Sequence, residues 1–220
     1  MESLQEKSKL ADKHIQQLIS PIDNIEQLDS EVHINVLDEK NIRLKTENLE
    51  KPAANTAMDI TRFNLRIGKI LSVKKHPNAD SLYVEQIDVG EEKPRTVCSG
   101  LLKYMQPSDL VQKLVIVLCN LKPVKMRGIT SEAMLMCAST PEKIELLEPL
   151  SDCKPGDRIE CDGYNCSSPH AQITKELSDQ ILPYMSTNEN GEATFKGTLW
   201  RVANDKDVIK CKTLVNVPIK

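Results

Sequence analysis

The segment that decides the fold runs from residue 114 to residue 134 and reads LVIVLCNLKPVKMRGITSEAM. Its first five residues are all aliphatic, which is typical of a strand that is buried on both faces. The loop that follows places Lys122, Lys125 and Arg127 around a proline and a glycine. Because a stiff, positively charged loop at the end of a buried strand presents fixed donors to a polyanion, the segment predicts an anion-binding β fold.

Short apolar or alternating stretches on both sides of this segment extend the β pattern. They predict strands near residues 65–74, 82–89, 94–100, 114–120 and 133–138, with a short helix near 107–112. Five short strands with a helix between the third and the fourth is the order of an OB-fold, a small Greek-key barrel that binds oligonucleotides. Spacing alone predicts a small all-β barrel.

The region after Pro141 continues without a clear linker. Its patterns predict a helical turn at 142–147, a strand at 156–160, a helix at 173–182 and a hairpin of 193–202 with 208–215. We therefore expect a mainly β protein, with a barrel domain over residues 59–160 and a smaller β-rich module over residues 161–220.

The first 50 residues contain no glycine and no aromatic side chain, and apolar side chains recur there every seven residues, at Leu4, Ala11, Leu18, Ile25 and Val32. This heptad pattern is typical of a helix that packs against a partner helix. Pro21 interrupts the pattern and predicts two shorter helices. The alternative is a solvated tail. Residues 51–58 are small, polar and marked by a proline, so they predict a linker.

Charge is distributed unevenly along the chain, whose net formal charge is −3. Residues 59–140 carry twelve Lys/Arg against eight Asp/Glu, a balance of +4, whereas residues 1–58 have a balance of −4 and residues 141–220 one of −3. Because local charge governs binding while net charge governs solubility and steering, the middle of the chain is the expected contact region for a nucleic acid.

Several other classes of protein and site are disfavoured. Seven cysteines without any Cys-x-x-Cys pair predict reduced thiols in a cytoplasmic protein and no metal site. No apolar run approaches the length of about 18 residues that a membrane span needs, and the start of the chain lacks the pattern of a secretion signal. The sequence contains no phosphate-binding loop and no dinucleotide-binding motif, so no cofactor is expected. His76, Asp80 and Ser81 are too close together in a proline-containing turn to be taken as a catalytic triad.

Ten residues are predicted to contact an RNA backbone or base. The cations cluster on the first strand and on the loop after the fourth, and the others could bond or pack against a nucleotide: Arg66, Lys69, Lys74, Lys75, Lys122, Lys125, Arg127, Asn120, Ser131 and Met126. The alternative is that the cations only solvate the barrel. Since aromatic side chains are scarce, we expect recognition of folded RNA through its backbone and not through stacking on single strands.

Several blocks in order carry a family resemblance: the residues RIGKI at 66–70, HP at 76–77 with ADSL at 79–82, DVG at 88–90, PRTV at 94–97 with SGL at 99–101, and 119–128. Over residues 59–220 the chain resembles the tRNA-binding domain of the endothelial monocyte-activating polypeptide II family. The resemblance implies an OB-fold with a second barrel-like module packed on it. It also implies tRNA binding with little preference for species.

Members of this family are joined to tyrosyl- or methionyl-tRNA synthetases or serve as stand-alone auxiliary subunits of synthetase complexes. This chain looks like the stand-alone type, so the resemblance implies tRNA and aminoacyl-tRNA synthetases as partners, among them the methionyl, arginyl, glutaminyl or tyrosyl enzyme. Two alternatives are a scaffold with negligible tRNA binding and a cytokine-like secreted fragment. Only Lys175 is kept of a lysine triplet that opens a helix in the family's C-terminal module, so weaker tRNA binding is expected.

Overall fold

Antiparallel strands curl into a nearly closed barrel in a computed structural model of the chain, which describes residues 58–150, 153–203 and 207–220. The first half contains β1 (Leu65–Lys75), β2 (Tyr83–Asp88), β3 (Arg95–Ser99), α1 (Pro107–Leu110), β4 (Leu114–Leu118), β5 (Val124–Met126), β6 (Ile129–Ser131) and β7 (Met134–Leu135). A short 3-10 turn, Ile60–Arg62, precedes β1. The sheet order is β3-β2-β1-β4-β7, and a hydrogen bond from the Glu132 amide to the Thr96 carbonyl links its two edges. The predicted mainly β barrel is confirmed.

Strand β4 is buried on both faces, as its aliphatic sequence predicts. Val115 and Val117 pack inside the barrel, whereas Ile116 and Leu118 belong to a second core on the other side of the strand. Its neighbour β1 approaches so closely at Gly68 that an added Cβ would lie 2.7 Å from side-chain atoms of Ile87 and Val117. This position therefore requires glycine.

The second half of the chain adds short strands and one helix. These are β8 (Cys137–Ser139), β9 (Ile144–Leu146), β10 (Glu148–Pro149), β11 (Ile159–Cys161), α2 (Lys175–Ile181), β12 (Met185–Thr187), β13 (Ala193–Phe195), β14 (Thr198–Val202) and β15 (Ile209–Lys210), with a 3-10 turn at Leu182–Tyr184. Strands β11, β14, β13 and β12 form a four-stranded sheet in that order.

The four-stranded sheet and α2 cover the outer face of β1 and β4. Trp200 and Phe195 are fully buried in one core with Ile67, Ile116 and Ile181. Because this core draws side chains from both predicted domains, the two halves support each other. The boundary at residue 160 stays a prediction.

One predicted element is wrong, and another is present only in part. Residues 142–147 do not form a helical turn, because Ile144–Leu146 pairs with Cys137–Ser139 across a tight turn closed by the Thr140 amide and the Lys143 carbonyl. The predicted hairpin of 193–202 with 208–215 is present only in part, as a single antiparallel bridge between Arg201 and Val208. The longer pairings of β14 are with β13 and β11, and β15 pairs with β10. A left-handed turn at Lys196 and Gly197, with φ values of 51° and 81°, allows the tight β13–β14 connection.

The predicted N-terminal helices, the linker and the seam residues Leu4, Ala11, Leu18, Ile25 and Val32 lie outside the described residues. Within the described ranges, none of the helices has the length and apolar character that a membrane crossing requires. No group of three or more potential metal-ligating side chains occurs in that part of the chain either.

Candidate nucleic-acid interface

The predicted cationic loop is a β-hairpin. Strands β5 and β6 pair from Val124 opposite Ser131 to Met126 opposite Ile129, and the two-residue turn between them is formed by Arg127 and Gly128. Both turn residues have positive φ, 46° and 104°, as the tightest hairpin turns require. Together with Lys122 and Pro123 we call residues 122–131 the basic hairpin. Lys122, Lys125 and Arg127 are all exposed on it.

Asn120 holds the base of the basic hairpin. Its side-chain oxygen accepts a hydrogen bond of 2.9 Å from the Asn64 amide, and its side-chain nitrogen donates to the carbonyls of Arg62 and His170, each at 2.8 Å. With 5% of its surface exposed, Asn120 uses its hydrogen-bonding capacity inside the protein. Its direct contact with RNA stays a prediction, while its observed contacts position the hairpin.

The backbone beside Asn120 is also fixed. The Lys122 amide donates to the Ile173 carbonyl, and the Ile173 amide donates to the Asn120 carbonyl. These two bonds attach the hairpin base to the segment that leads into α2. The hairpin is therefore supported by both halves of the described chain.

Ser131 closes the other side of the hairpin base. Its hydroxyl accepts a hydrogen bond from the Cys98 amide and donates one to the Ala133 carbonyl, both at 3.0 Å. Since Ser131 is buried, these contacts fasten β6 to β3. Its predicted contact with a nucleotide is untested, and its visible role is structural.

The tip of the hairpin is held by the turn between β1 and β2, residues 76–82, which we call the His76 turn. The His76 Nε2 atom lies 3.0 Å from the Met126 carbonyl oxygen, and the Asn78 side-chain amide donates to the Arg127 carbonyl at 3.4 Å. The Asn78 backbone amide donates to His76 Nδ1 at 3.0 Å. Both nitrogens of the imidazole are thus occupied, and neither is left to activate Ser81.

The predicted cations differ in how free their charges are. Arg66 lies 3.6 Å from a carboxylate oxygen of Glu91, which also forms an ion pair of 2.7 Å with Arg95. The hydrogen bonds from Arg95 lower the pKa of Glu91, so that its negative charge persists beside Arg66. Arg66 is therefore partly neutralised, and Arg95, which the sequence analysis did not single out, is its neighbour.

The other predicted cations are unpaired within residues 58–150, 153–203 and 207–220. They are Lys69, which is half-buried, and the exposed side chains Lys74, Lys75, Lys122, Lys125 and Arg127. Lys75 directly precedes His76, so the end of β1 lies next to the hairpin tip. This arrangement offers a set of uncompensated positive charges with a fixed backbone beneath them.

A cleft of about 510 Å³ opens between the His76 turn and the hairpin tip. Its lining includes the turn residues Asn78–Leu82 together with Arg127 and Lys103. Lys103 is exposed and was missed in the sequence, because it lies before α1 in a segment without a motif. Only the fold shows that this lysine faces the same opening as Arg127.

Met126 and Tyr83 adjoin the residues that line the cleft and are the remaining side chains that could contact a base. Met126 is half-buried beneath the turn. Tyr83 is 1% exposed, and its hydroxyl donates to the Met105 carbonyl, so this aromatic belongs to the core and offers no stacking surface. The site is therefore built from cations and backbone, which suits a phosphate backbone better than unpaired bases.

Comparison with known proteins agrees with this geometry. Residues 65–158 match the family model described as a putative tRNA binding domain. The C-terminal domain of p43 from Plasmodium vivax, a solved structure, matches with a TM-score of 0.70 and 38% identity, covering 74% of this chain and all of that one. The chain belongs to the endothelial monocyte-activating polypeptide II family.

Two curated relatives extend the match. Aminoacyl tRNA synthase complex-interacting multifunctional protein 1 of Cricetulus griseus is 45% identical over 196 residues, which cover 83% of this chain and 54% of that protein. Cytoplasmic tyrosine-tRNA ligase of Danio rerio is 52% identical over 157 residues, which cover 70% of this chain and 30% of that protein. The chain thus spans about half of the first relative and under a third of the second.

Helix α2 keeps only Lys175 of the lysine triplet that the family resemblance implies there. Lys175 is exposed and forms an ion pair with Asp179 one helical turn later. Its positive charge is therefore partly compensated. The three cations of the basic hairpin, by contrast, have no ion-pair partner among the described residues.

Proposed function

We propose that the chain is a non-catalytic, cytoplasmic tRNA-binding auxiliary protein that delivers tRNA to aminoacyl-tRNA synthetases. The observation that carries the proposal is the basic hairpin. Its three cations are exposed and unpaired within the described residues, and its backbone is held at base and tip by hydrogen bonds. Cations held on a rigid support meet phosphates without a large loss of conformational entropy. Membership of a family whose model is a tRNA-binding domain supports tRNA as the ligand.

The proposed contact surface comprises the hairpin, the end of β1 and the opening lined by Lys103. Lys122, Lys125 and Arg127 contact phosphates, and Lys74 and Lys75 extend the positive surface. Contacts of this kind fix the position of an RNA but carry no sequence information. The protein therefore binds many tRNA species with similar affinity.

Synthetases are the proposed protein partners, and the N-terminal heptad residues are the proposed contact. Matches to a synthetase-complex protein and to a tyrosine-tRNA ligase support this assignment, and the methionyl, arginyl, glutaminyl and tyrosyl enzymes are the first to test. Tethering makes tRNA capture intramolecular, so a modest tRNA affinity is enough to raise the local tRNA concentration at the enzyme.

A scaffold with negligible tRNA binding is the second candidate. It is favoured by the partial neutralisation of Arg66 by Glu91 and of Lys175 by Asp179. In that case the N-terminal region would organise synthetases while the barrel contributes little to RNA binding.

Two double variants of the full chain should separate the two activities. Leu18→Glu with Ile25→Glu places charges in the heptad seam and is expected to abolish co-purification of synthetases while tRNA binding persists. Lys125→Gln with Arg127→Gln should do the reverse. The measurement is an affinity pull-down from cytosol, analysed for synthetases by mass spectrometry and for tRNA by sequencing.

The outcomes discriminate between the candidates. Loss of tRNA alone in the hairpin variant supports delivery by tethering. Loss of tRNA together with the synthetases in the seam variant would favour the scaffold, because the tRNA would then have been held by the synthetases. Wild-type recovery of synthetases in the seam variant would remove the N-terminal region as the tether.

A further inference from the structure

His76 occupies an unusual place for a histidine beside a basic surface. His76 is 5% exposed, yet its side chain lies next to the exposed turn at the hairpin tip. The contact joins residues 50 positions apart in sequence, because His76 follows β1 and Met126 ends β5. The histidine therefore connects the two loops that border the cleft.

The hydrogen bonds fix which nitrogen of His76 carries the proton. Nδ1 accepts from the Asn78 amide, so in this arrangement Nδ1 is unprotonated and Nε2 donates its hydrogen to the Met126 carbonyl. A neutral imidazole satisfies both contacts. The ring thus contributes geometry to the site and no positive charge.

The basic hairpin needs such support. Each of its strands has three residues, and a two-stranded hairpin alone is marginally stable in water. Among the described residues, hydrogen bonds from outside the hairpin to its tip come from His76 and Asn78. Without them, Lys125 and Arg127 would keep their charges but lose the hydrogen bonds that fix the backbone of the tip.

We propose that His76 is a positioning residue for RNA binding, which locks the tip of the basic hairpin through the Met126 carbonyl and thereby aims Lys125 and Arg127 at adjacent phosphates. The inference rests on the proposed function, and it adds an uncharged residue to the proposed tRNA-binding site. Asn78 assists through the Arg127 carbonyl. The proposal treats the His76 turn and the hairpin as one rigid unit.

Two substitutions divide the hydrogen bonds of His76 between them. His76→Gln can place an amide N–H near the position of Nε2 and so keep the link to Met126, while it loses the acceptor for Asn78. His76→Asn can keep an acceptor near the position of Nδ1 but is too short to reach Met126. Both variants are uncharged, so neither removes a cation from the surface.

The test measures tRNA binding by the full chain over a range of salt concentrations. His76→Gln is expected to bind within about 2-fold of the wild type, whereas His76→Asn should bind about 5-fold more weakly in ~0.15 M salt. On the duplex scale, the slope of log affinity against log salt in His76→Asn should fall by about 1, as if one phosphate contact were lost. A purely structural role would instead make affinity follow the thermal stability of each variant.

The double variant Lys125→Gln with Arg127→Gln serves as the reference. If it loses affinity while His76→Asn keeps the wild-type affinity and slope, the positioning role is refuted and the proposed function stands. If the double variant itself binds like the wild type, the hairpin is not the site and both proposals fall.

Asn78→Ala provides a milder version of the same test, because Asn78 is exposed and its truncation should leave the fold intact. It removes the bond to the Arg127 carbonyl and should weaken tRNA binding about 2-fold with a flatter salt dependence. Should neither His76 variant fold, wild-type affinity and slope in Asn78→Ala would overturn the inference.

Discussion

The triple variant Lys122→Gln, Lys125→Gln, Arg127→Gln is expected to bind tRNA about 100-fold more weakly than the wild type in ~0.15 M salt, because each lost phosphate contact removes a counterion-release gain of about 5-fold. The slope of log affinity against log salt should become shallower by up to about 2.7 on the duplex scale. The fold should remain, since these side chains are exposed and unpaired within the described residues. Fluorescence anisotropy with labelled tRNA at several salt concentrations measures both quantities.

A matched control comes from the other half of the chain. Lys154, Lys196 and Lys212 are exposed lysines, and Lys196 precedes Gly197 in a left-handed turn like that of Arg127 and Gly128. Replacing the three with glutamine makes the same change in net charge, so a general effect of charge should weaken both variants equally. An equal loss in both would argue against the basic hairpin as the specific site.

The second large effect concerns stability. Glu85 lies on β2 with no exposed surface; one carboxylate oxygen accepts a hydrogen bond of 2.6 Å from Ser99, and the other lacks a partner among the described residues. Burial raises the pKa of Glu85 to about 7, and the bond from Ser99 opposes this only in part. The folded protein thus holds this proton more tightly than the unfolded chain does.

The sign of the pH dependence follows from this difference. Because the pKa is higher in the folded state, the stability linked to Glu85 is fully present below about pH 4.5 and is lost as the pH rises to about 7, by about 3 kcal/mol in all. Glu85→Gln cannot ionise. Its free energy of unfolding relative to the wild type should therefore increase by about 3 kcal/mol between pH 4.5 and pH 8, as urea denaturation at each pH can measure.

Glu145 is the control of opposite sign. Burial alone would raise its pKa, but hydrogen bonds from Lys143, Thr213 and Leu214 outweigh that effect and lower the pKa to about 2. Glu145→Gln should be destabilised at neutral pH, and the difference from the wild type should shrink only below about pH 4.5. If Glu85→Gln were also destabilised at neutral pH, with a difference from the wild type that shrank only below about pH 4.5, the inference that folding raises the pKa of Glu85 would be wrong.

Local patterns in the sequence predicted most of the barrel. The aliphatic run of β4 indicates a strand that is buried on both faces, and the alternation of apolar and polar residues in β2 indicates a strand that is buried on one face. Both strands lie where the sequence predicts them. The strand Ile144–Leu146 was missed because three residues are too few to show an alternation. The pairing of β15 with β10 depends on the contact of distant segments, which leaves no local signal.

The same distinction applies to the site. The density of cations near Pro123 indicated the hairpin, but Asn120 and Ser131 looked like surface residues at the loop ends and are buried hydrogen-bonding residues. The link from His76 to Met126 joins two loops that are 50 residues apart in the sequence. The partial neutralisation of Arg66 on β1 depends on Glu91, which follows β2 in the chain. Residue type revealed the chemistry, while the fold decided which side chains are free to act.

The central claim is that exposed lysines of the basic hairpin contact tRNA, and chemical footprinting tests it most directly. The amines of the full chain are acetylated with and without saturating tRNA, and the extent of reaction at each lysine is read by mass spectrometry. The account predicts that tRNA protects Lys122 and Lys125, and Lys103 beside the cleft, whereas Lys154 and Lys212 react as they do without RNA. Unchanged reactivity of Lys122 and Lys125 in a chain saturated with tRNA would contradict it.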